Sequence, residues 1–534
     1  MLSTLIVIYS FKYNIKSAVI AFLQIVLLNS FLNGSAQMVK GKFVTGNIFN
    51  HIIVMSSTNA IGLTALFLVD LADLFFISLL GETELAAAVG YAGTIAFFTT
   101  SISIGLSIAM SALVSKAIGQ QDREKARRLV INILGTGFII SALVAAVTWY
   151  FTPELVSLIG AKGETHQLAV EYLRILLPSL PILCLGMNAG AALRSVGDAK
   201  LAMYTTLAGG GVNALLDPLF IFTFDLGLHG AAIASVIARF AVAFVAIYGV
   251  TKVHKLMGTF NIKHWLADQK EIFNVAIPAM STNIATPIGN AYVTMMIAGF
   301  GDGFVAGWAV IGRLLPVAFG MIFSISGAVG PIIGQNFGAL LYDRVRLTSK
   351  RAIEFTAAYV IIVALIIFLI QNQIISIFGA QGDAEEMIRF YCTWLSIVFV
   401  FNGLIFIANA TFNNLGFPST STMMNIGKAT IGTIPFVYFG GQWFGALGVV
   451  AGQAVGSILF GLIAWCWSLR ILNKLGDDPK MQCEQEDDIS LNSVLPLTPF
   501  SSSRIYLCSD TDECLTEQQL KDIEVIEGKE TTKS

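Results

Sequence analysis

Charge is scarce in this chain. Only 12% of its 534 residues are Asp, Glu, Lys or Arg, against 55% that are hydrophobic, and mean hydropathy is +0.74. A soluble globular fold of this length is excluded by that balance, which leaves a polytopic membrane protein. The few charges nearly cancel, to a net −2, so there is no electrostatic footprint for nucleic acid. Cysteine is scarce too. Cys184, Cys392, Cys466, Cys483, Cys508 and Cys514 form no CxxC pair and no metal-ligand spacing, which argues against a disulfide frame or a zinc site. The five histidines show no HExxH pattern, so a membrane metalloprotease has no support.

Long apolar runs are what is present. About twelve are long enough to cross a bilayer: 53–79, 88–113, 129–151, 168–192, 201–224, 230–251, 272–299, 304–334, 352–371, 388–412, 419–439 and 444–469. Lys and Arg collect in alternate connections, at Lys116 to Arg128, Arg194 and Lys200, Lys252 to Lys270, and Arg344 to Arg351. The positive-inside rule then puts both ends of the core in the cytoplasm. Residues 1–37, with Lys12 and Lys16 before an apolar run, read as a leader or as a start mis-assigned ahead of Met38. The expected organisation is a six-helix lobe over 38–252, a cytoplasmic linker over 253–271, a second six-helix lobe over 272–470, and a disordered cytoplasmic tail over 471–534.

The chain repeats itself. Ile118-Gly119-Gln120 returns as Ile333-Gly334-Gln335, Val196-Gly197 as Leu415-Gly416, Asp217-Pro218 as Ile434-Pro435, and His229-Gly230 as Phe444-Gly445. The order is kept and the shift stays between 215 and 220, so the two lobes point the same way. Parallel repeats with a site between them are a transporter architecture. These shifts carry Asp217 onto Ile434 and Asp73 onto Val293, so the acids belong to the first half alone.

Asp217 lies in an apolar run, and a carboxylate there is costly enough to suggest a task. Asn213, four residues earlier, shares its helix face and could complete a seat for a proton or small cation. The plainer alternative is an Asp that pins helix packing. Asp70 and Asp73 form a second acidic pair in the first run. Arg239 either pairs with an acid or snorkels to the interface. Lys428 is a lone cation in run 419–439, facing a central cavity or serving packing. Gly209-Gly210-Gly211 and the series Gly448, Gly452, Gly456 suit close helix contact.

Leu-Val-Asp-Leu-Ala-Asp73 ahead of Leu80-Gly81, Leu-Arg194-Ser-Val-Gly197-Asp198, Asn213-Ala-Leu-Leu-Asp217-Pro218 and Gly230-Ala-Ala-Ile-Ala-Ser235 together resemble the multidrug and toxic compound extrusion (MATE) family over about 43–470. The resemblance implies an all-α, twelve-helix, two-lobed antiporter of small molecules. Such a protein exports bulky cationic or amphipathic compounds against H⁺ or Na⁺, with no cofactor and no chemistry on the substrate. It implies an ion-coupling set of Asp73, Asn213, Asp217 and Ser235, the last in place of the family's Thr, with Asp70, Arg239 and Lys428 as auxiliaries and Na⁺ as the one metal candidate. The DinF-like branch fits better than the NorM-like one, because runs 272–299 and 388–412 hold no acid. The family's first-helix proline is replaced near Thr58. A monomer in the lipid bilayer of a bacterial inner membrane is expected. The rivals are a lipid-linked oligosaccharide flippase, which favours a cationic cavity, then a membrane-embedded enzyme or a channel.

Overall fold

The computed structural model of the protein describes residues 41–78 and 83–476. The leader over 1–37, the tail beyond 476 and the side chain of Asp70 lie outside the described residues. Among the described residues every regular element is helical. The first lobe holds α1 (Ile48–Ser78), α2 (Thr83–Gly119), α3 (Arg123–Tyr150), α4 (Gly163–Ser195), α5 (Ala199–Thr223) and α6 (Gly227–Val253). The second holds α7 (Ile262–Ala298), α8 (Asp302–Ala318 with Gly320–Gly338, bent by 45°), α9 (Tyr342–Leu369) and α10 (Asp383–Asn414). Its last two helices are α11 (Pro418–Ala429, resumed at Ile434 and running to the kink at Gly445) and α12 (from that kink to Lys474). A second unit of the chain starts at Leu469, and its described part runs to Gly476.

Among the described residues, length and hydropathy alone pick out nine spans, or ten with the bent pair of α8. Two physical reasons bring the count to twelve. As one helix the 57-residue stretch Pro418–Lys474 would be about 85 Å long, more than twice the bilayer core, but it turns over 430–433 and folds back at Gly445, where φ is +65. Its arms pack backbone to backbone: a Cβ on Gly448, Gly452 or Gly456 would stand 2.0, 2.2 or 1.6 Å from the carbonyl oxygens of Gly440, Phe436 and Gly432. The glycine series is thus the contact face of α11 against α12. The other missing span, α7, has a polar, charged opening and carries Pro278 and Pro287.

The repeat is written into the backbone at a spacing of 219. Gln121 and Leu340 are both left-handed (φ 62 and 58), as are Gly160 and Gly379, Gly163 and Gly382, and Gly197 and Gly416, the last two at φ 88. Short helices Thr152–Leu158 and Gln371–Ile377 keep the same spacing. At 219 the counterparts of Asp73 and Asp217 become Tyr292 and Phe436, a small correction to Val293 and Ile434 that leaves the acids without partners.

The lobes meet at the end that carries the basic loops. There α2 packs on α7 and α8, and α1 packs on α8 and α9. A Cβ on Gly119 would come within 2.1 Å of the Gln335 carbonyl oxygen, and one on Gly338 within 2.1 Å of that of Lys116. A polar latch closes this end. Phe43 N–H donates to Gln335 Oε1 (2.9 Å), Gln335 Nε2 to the Ser195 carbonyl (2.6 Å), Lys42 Nζ to the Gly197 carbonyl (2.8 Å) and Arg344 Nη2 to the Phe43 carbonyl (2.8 Å). Toward the other end, Gly90 and Gly93 of α2 and Gly312 of α8 face open space. Helix α7 serves both lobes. Ile272, Val275 and Ala276 sit in the core of the first, Val293 and Ile297 in that of the second.

Asp198 shows why the turn before α5 is structural. It caps α5 by accepting from Leu201 N–H (3.0 Å) and meets His254 Nε2 at 2.9 Å. Burial raises its carboxyl, but the His254 hydrogen bond, the Leu201 N–H and the charges of His254 and Lys42 outweigh burial and hold it below the ordinary range. A depressed folded value means that the stability is present above the unfolded carboxylate value, about 4, and is lost as pH falls through the folded one. Melting of the detergent-solubilised protein is therefore expected to drop on acidification below about pH 4, and less so in Asp198→Asn, which keeps a cap. Identical drops in both proteins would remove Asp198 from the acid response.

Candidate functional site

Asp217 closes the regular part of α5 because of its neighbour. Pro218 has no N–H to give back along the helix, and the chain relaxes into a π turn over Leu219–Thr223. Gly209 and Gly210 let α5 approach α6 and α1: Cβ atoms there would meet Val242 at 2.3 Å and Val69 at 3.2 Å. That approach brings α1 within reach of the acid. Asn213 Nδ2 donates to Asp217 Oδ2 (2.9 Å) and to Asp73 Oδ1 (2.8 Å), so one amide ties two carboxyls on two helices. Asp217 is 0% exposed, Asn213 is buried and Asp73 half-buried. One amide bonded to both holds the two carboxyls close together. Asp217 Oδ1 is buried without a partner.

Two carboxylates this close repel, and one proton or one monovalent cation between them relieves the repulsion. The unsatisfied Asp217 oxygen is the atom left to take it. No cluster of three or more metal-ligand side chains occurs among the described residues. The groups that fit a cation are thus the two acids and, if its amide turns, the Asn213 oxygen.

Of the predicted set, three members come together and the fourth stands one residue away. Ser235 of α6 lies beside Tyr172 of α4, and buried Tyr172 is close enough to Asp73 and Asp217 to feel both charges. Tyr172 is the residue that sequence reading missed, because only packing of α4 on α6 brings it there. Arg239 pairs with no acid among the described residues: its Nη1 donates to the Leu176 carbonyl (3.1 Å) and to Ser179 Oγ (2.9 Å). Those atoms flank the tight turn over Leu177–Ser179, where Pro178 and Pro181 interrupt α4. Arg239 therefore satisfies backbone that a proline break exposes. Lys428 gives its ammonium to Asn402 Oδ1 of α10. Thr58, in the place where the resemblance implies a proline, leaves α1 continuous and returns its hydroxyl to the Val54 and Met55 carbonyls.

The MatE family model matches residues 59–219 and again 278–439. The two matches start 219 residues apart, the spacing seen in the backbone. The FAD transporter of Shewanella oneidensis is 27% identical over 424 residues, covering 78% of this chain and 93% of that protein. Multidrug export protein MepA of Staphylococcus aureus is 24% identical over 427 residues, covering 79% and 94%. Among solved structures, the Vibrio cholerae MATE transporter VcmN superposes with a TM-score of 0.76 at 24% identity, over 80% of this chain and 98% of that one. An outward-facing multidrug resistance MATE transporter superposes at 0.77 with 22% identity, over 82% and 99%. At such identities the structures speak for the fold: twelve helices in two lobes.

Proposed function

This chain belongs to the MatE family of transporters, and from that premise we propose a secondary active efflux antiporter. It moves bulky amphipathic compounds outward while H⁺ or Na⁺ enters. The observation that carries the reading is the Asp73–Asn213–Asp217 cluster, buried in one lobe and without an acidic counterpart at a spacing of 219. An uneven pair of lobes can couple one ion site to one moving cleft. MepA, a relative whose name says multidrug export, supports the direction.

The lobes over 38–252 and 272–470 rock about the cleft between them, with α7 belonging in part to each. Both ends of the core face the cytoplasm of a bacterial inner membrane, so the latched end is the cytoplasmic one and the cleft opens outward. Asn213 presents its donor edge to both acids, which suits a proton held between them. A sodium ion needs that amide turned to offer its oxygen. Ser235 and Tyr172 border the site and tune it. The protein works as a monomer, with no cofactor.

Dye export by the purified protein in liposomes tests this, with a pH gradient and a Na⁺ gradient imposed separately. Export driven by one gradient is expected, the pH gradient on the amide argument. Export indifferent to both would sink the coupling.

A further inference from the structure

Two cations stand deep in the second lobe, and ion coupling uses neither. Arg313 is eleven residues into α8, about 16 Å from its start at Asp302. Lys428 is ten residues into α11, about 15 Å from its start at Pro418 at the opposite end. Both depths fall near the middle of a bilayer core about 30 Å thick. Neither side chain forms an ion pair with a described residue. Lys428 has the neutral Asn402 as its partner, and Arg313 makes no hydrogen bond among the described residues.

The surroundings of Arg313 say which way it faces. Gly307 packs against Ala384 and Met387 of α10, and Ile311 is fully buried. The opposite face, through Ala306, Ala309, Arg313 and Val317, is exposed, and a Cβ on Gly312 would meet nothing within 4 Å. A bare guanidinium at this depth is costly in hydrocarbon and cheap in a water-filled cleft. The outer half of α8 also borders α1, across the lobe boundary. At Gly320 the two helices touch, with Thr64 Oγ1 3.1 Å from where a Cβ would be. From that level Arg313 lies seven residues outward on α8 and Asp73 nine residues outward on α1. The cation and the acid cluster thus stand at comparable depth on different lobes.

We infer that Arg313 and Lys428 are substrate-binding residues for an anionic group, so that the exported compounds carry a phosphate or carboxylate on a bulky apolar body. This rests on the efflux reading and replaces the cationic substrates that family resemblance implies. Charge is divided by lobe. The acids of the first hold the coupling ion, and the bases of the second hold the substrate's anion. Ion and substrate then do not compete for the same groups. An arginine donates as a planar fork to phosphate or carboxylate, and a buried lysine adds a point charge.

A matched pair of fluorescent probes isolates the anion. Riboflavin and flavin mononucleotide share one ring system and differ by a phosphate. With purified protein in neutral-lipid vesicles, the mononucleotide is expected to bind at least tenfold tighter. Arg313→Gln and Lys428→Met should each erase most of that preference and leave riboflavin unchanged, while Arg313→Lys and Lys428→Arg should keep most of it. No preference in the native protein, including binding of neither flavin, overturns the inference, and so does a preference that survives in the double variant. Vesicles containing anionic lipid separate the sources. Suppressed mononucleotide binding assigns a lipid headgroup as the anion, and undiminished binding assigns a soluble one. Gradient-driven export of a neutral dye without any flavin preference counts against this inference alone. A flavin preference without gradient-driven export counts against the coupling alone.

Discussion

Asp217→Asn is expected to leave the protein folded in the membrane and to abolish gradient-driven export. The two side chains are nearly the same size, and an amide at 217 still satisfies Asn213 or Asp73, so packing around α5 survives. What goes is the second carboxylate. With one acid left, the repulsion between two carboxylates is gone, and with it the force that held a proton or cation between Asp73 and position 217. A unit charge moved through 100 mV is worth about 2.3 kcal/mol, nearly a fifty-fold bias on a two-state element, and that bias is the quantity lost. Asp73→Asn should do the same. The double variant should be little worse than either single one, because both acids serve one site through one amide. Tyr172→Phe and Ser235→Ala, which border the cluster, should shift the pH dependence of export and keep export itself. Normal export by Asp217→Asn with unchanged gradient dependence would remove the cluster from coupling.

How much of this could be read from the sequence depends on what each contact requires. Asn213 and Asp217 were legible because four residues on a helix is a contact, wherever the helix goes. The repeat was legible because a fold built twice leaves its turns at one spacing, and left-handed Gly197 and Gly416 are such turns. Tyr172 was not legible: an apolar-run tyrosine has no signature until α4 lies beside α6. The task of Arg239 was half legible, since Pro178 and Pro181 announce a break in α4 without saying which side chain mends it. Arg313 stands in plain view inside run 304–334, a charge in an apolar span. Its importance shows only in its open face and lack of a partner. The boundary between lobes, drawn from charge over 253–271, follows loops and cannot reveal that α7 is packed into both cores.

The latch carries the other large effect. Gly119 and Gly338 face each other's helices so closely that any Cβ meets a backbone carbonyl at 2.1 Å. A flexible side chain could turn aside, but a carbonyl within a helix cannot, so α2 and α8 must separate. Overpacking of this kind costs about 1–3 kcal/mol. Here it penalises only the latched arrangement, since the two glycines lose their neighbours when the lobes part. A penalty of that size shifts a two-state equilibrium roughly 5- to 150-fold toward the state in which this end is open. Gly119→Val and Gly338→Val are therefore expected to melt near the native temperature, to slow export by at least about fivefold, and to unprotect the Phe43 amide. That amide is the reporter because its hydrogen goes to Gln335 Oε1 across the latch, and Phe43 is only 1% exposed. Gly90→Val is the control: a Cβ there meets nothing within 4 Å, and neither export nor Phe43 exchange should change. The cost has to be borne where the lobes move apart, and Pro287 of α7 lies between the residues that α7 gives to each core. Unchanged protection of the Phe43 amide in both valine variants, with export at the native rate, would show that the lobes do not part at this end during transport.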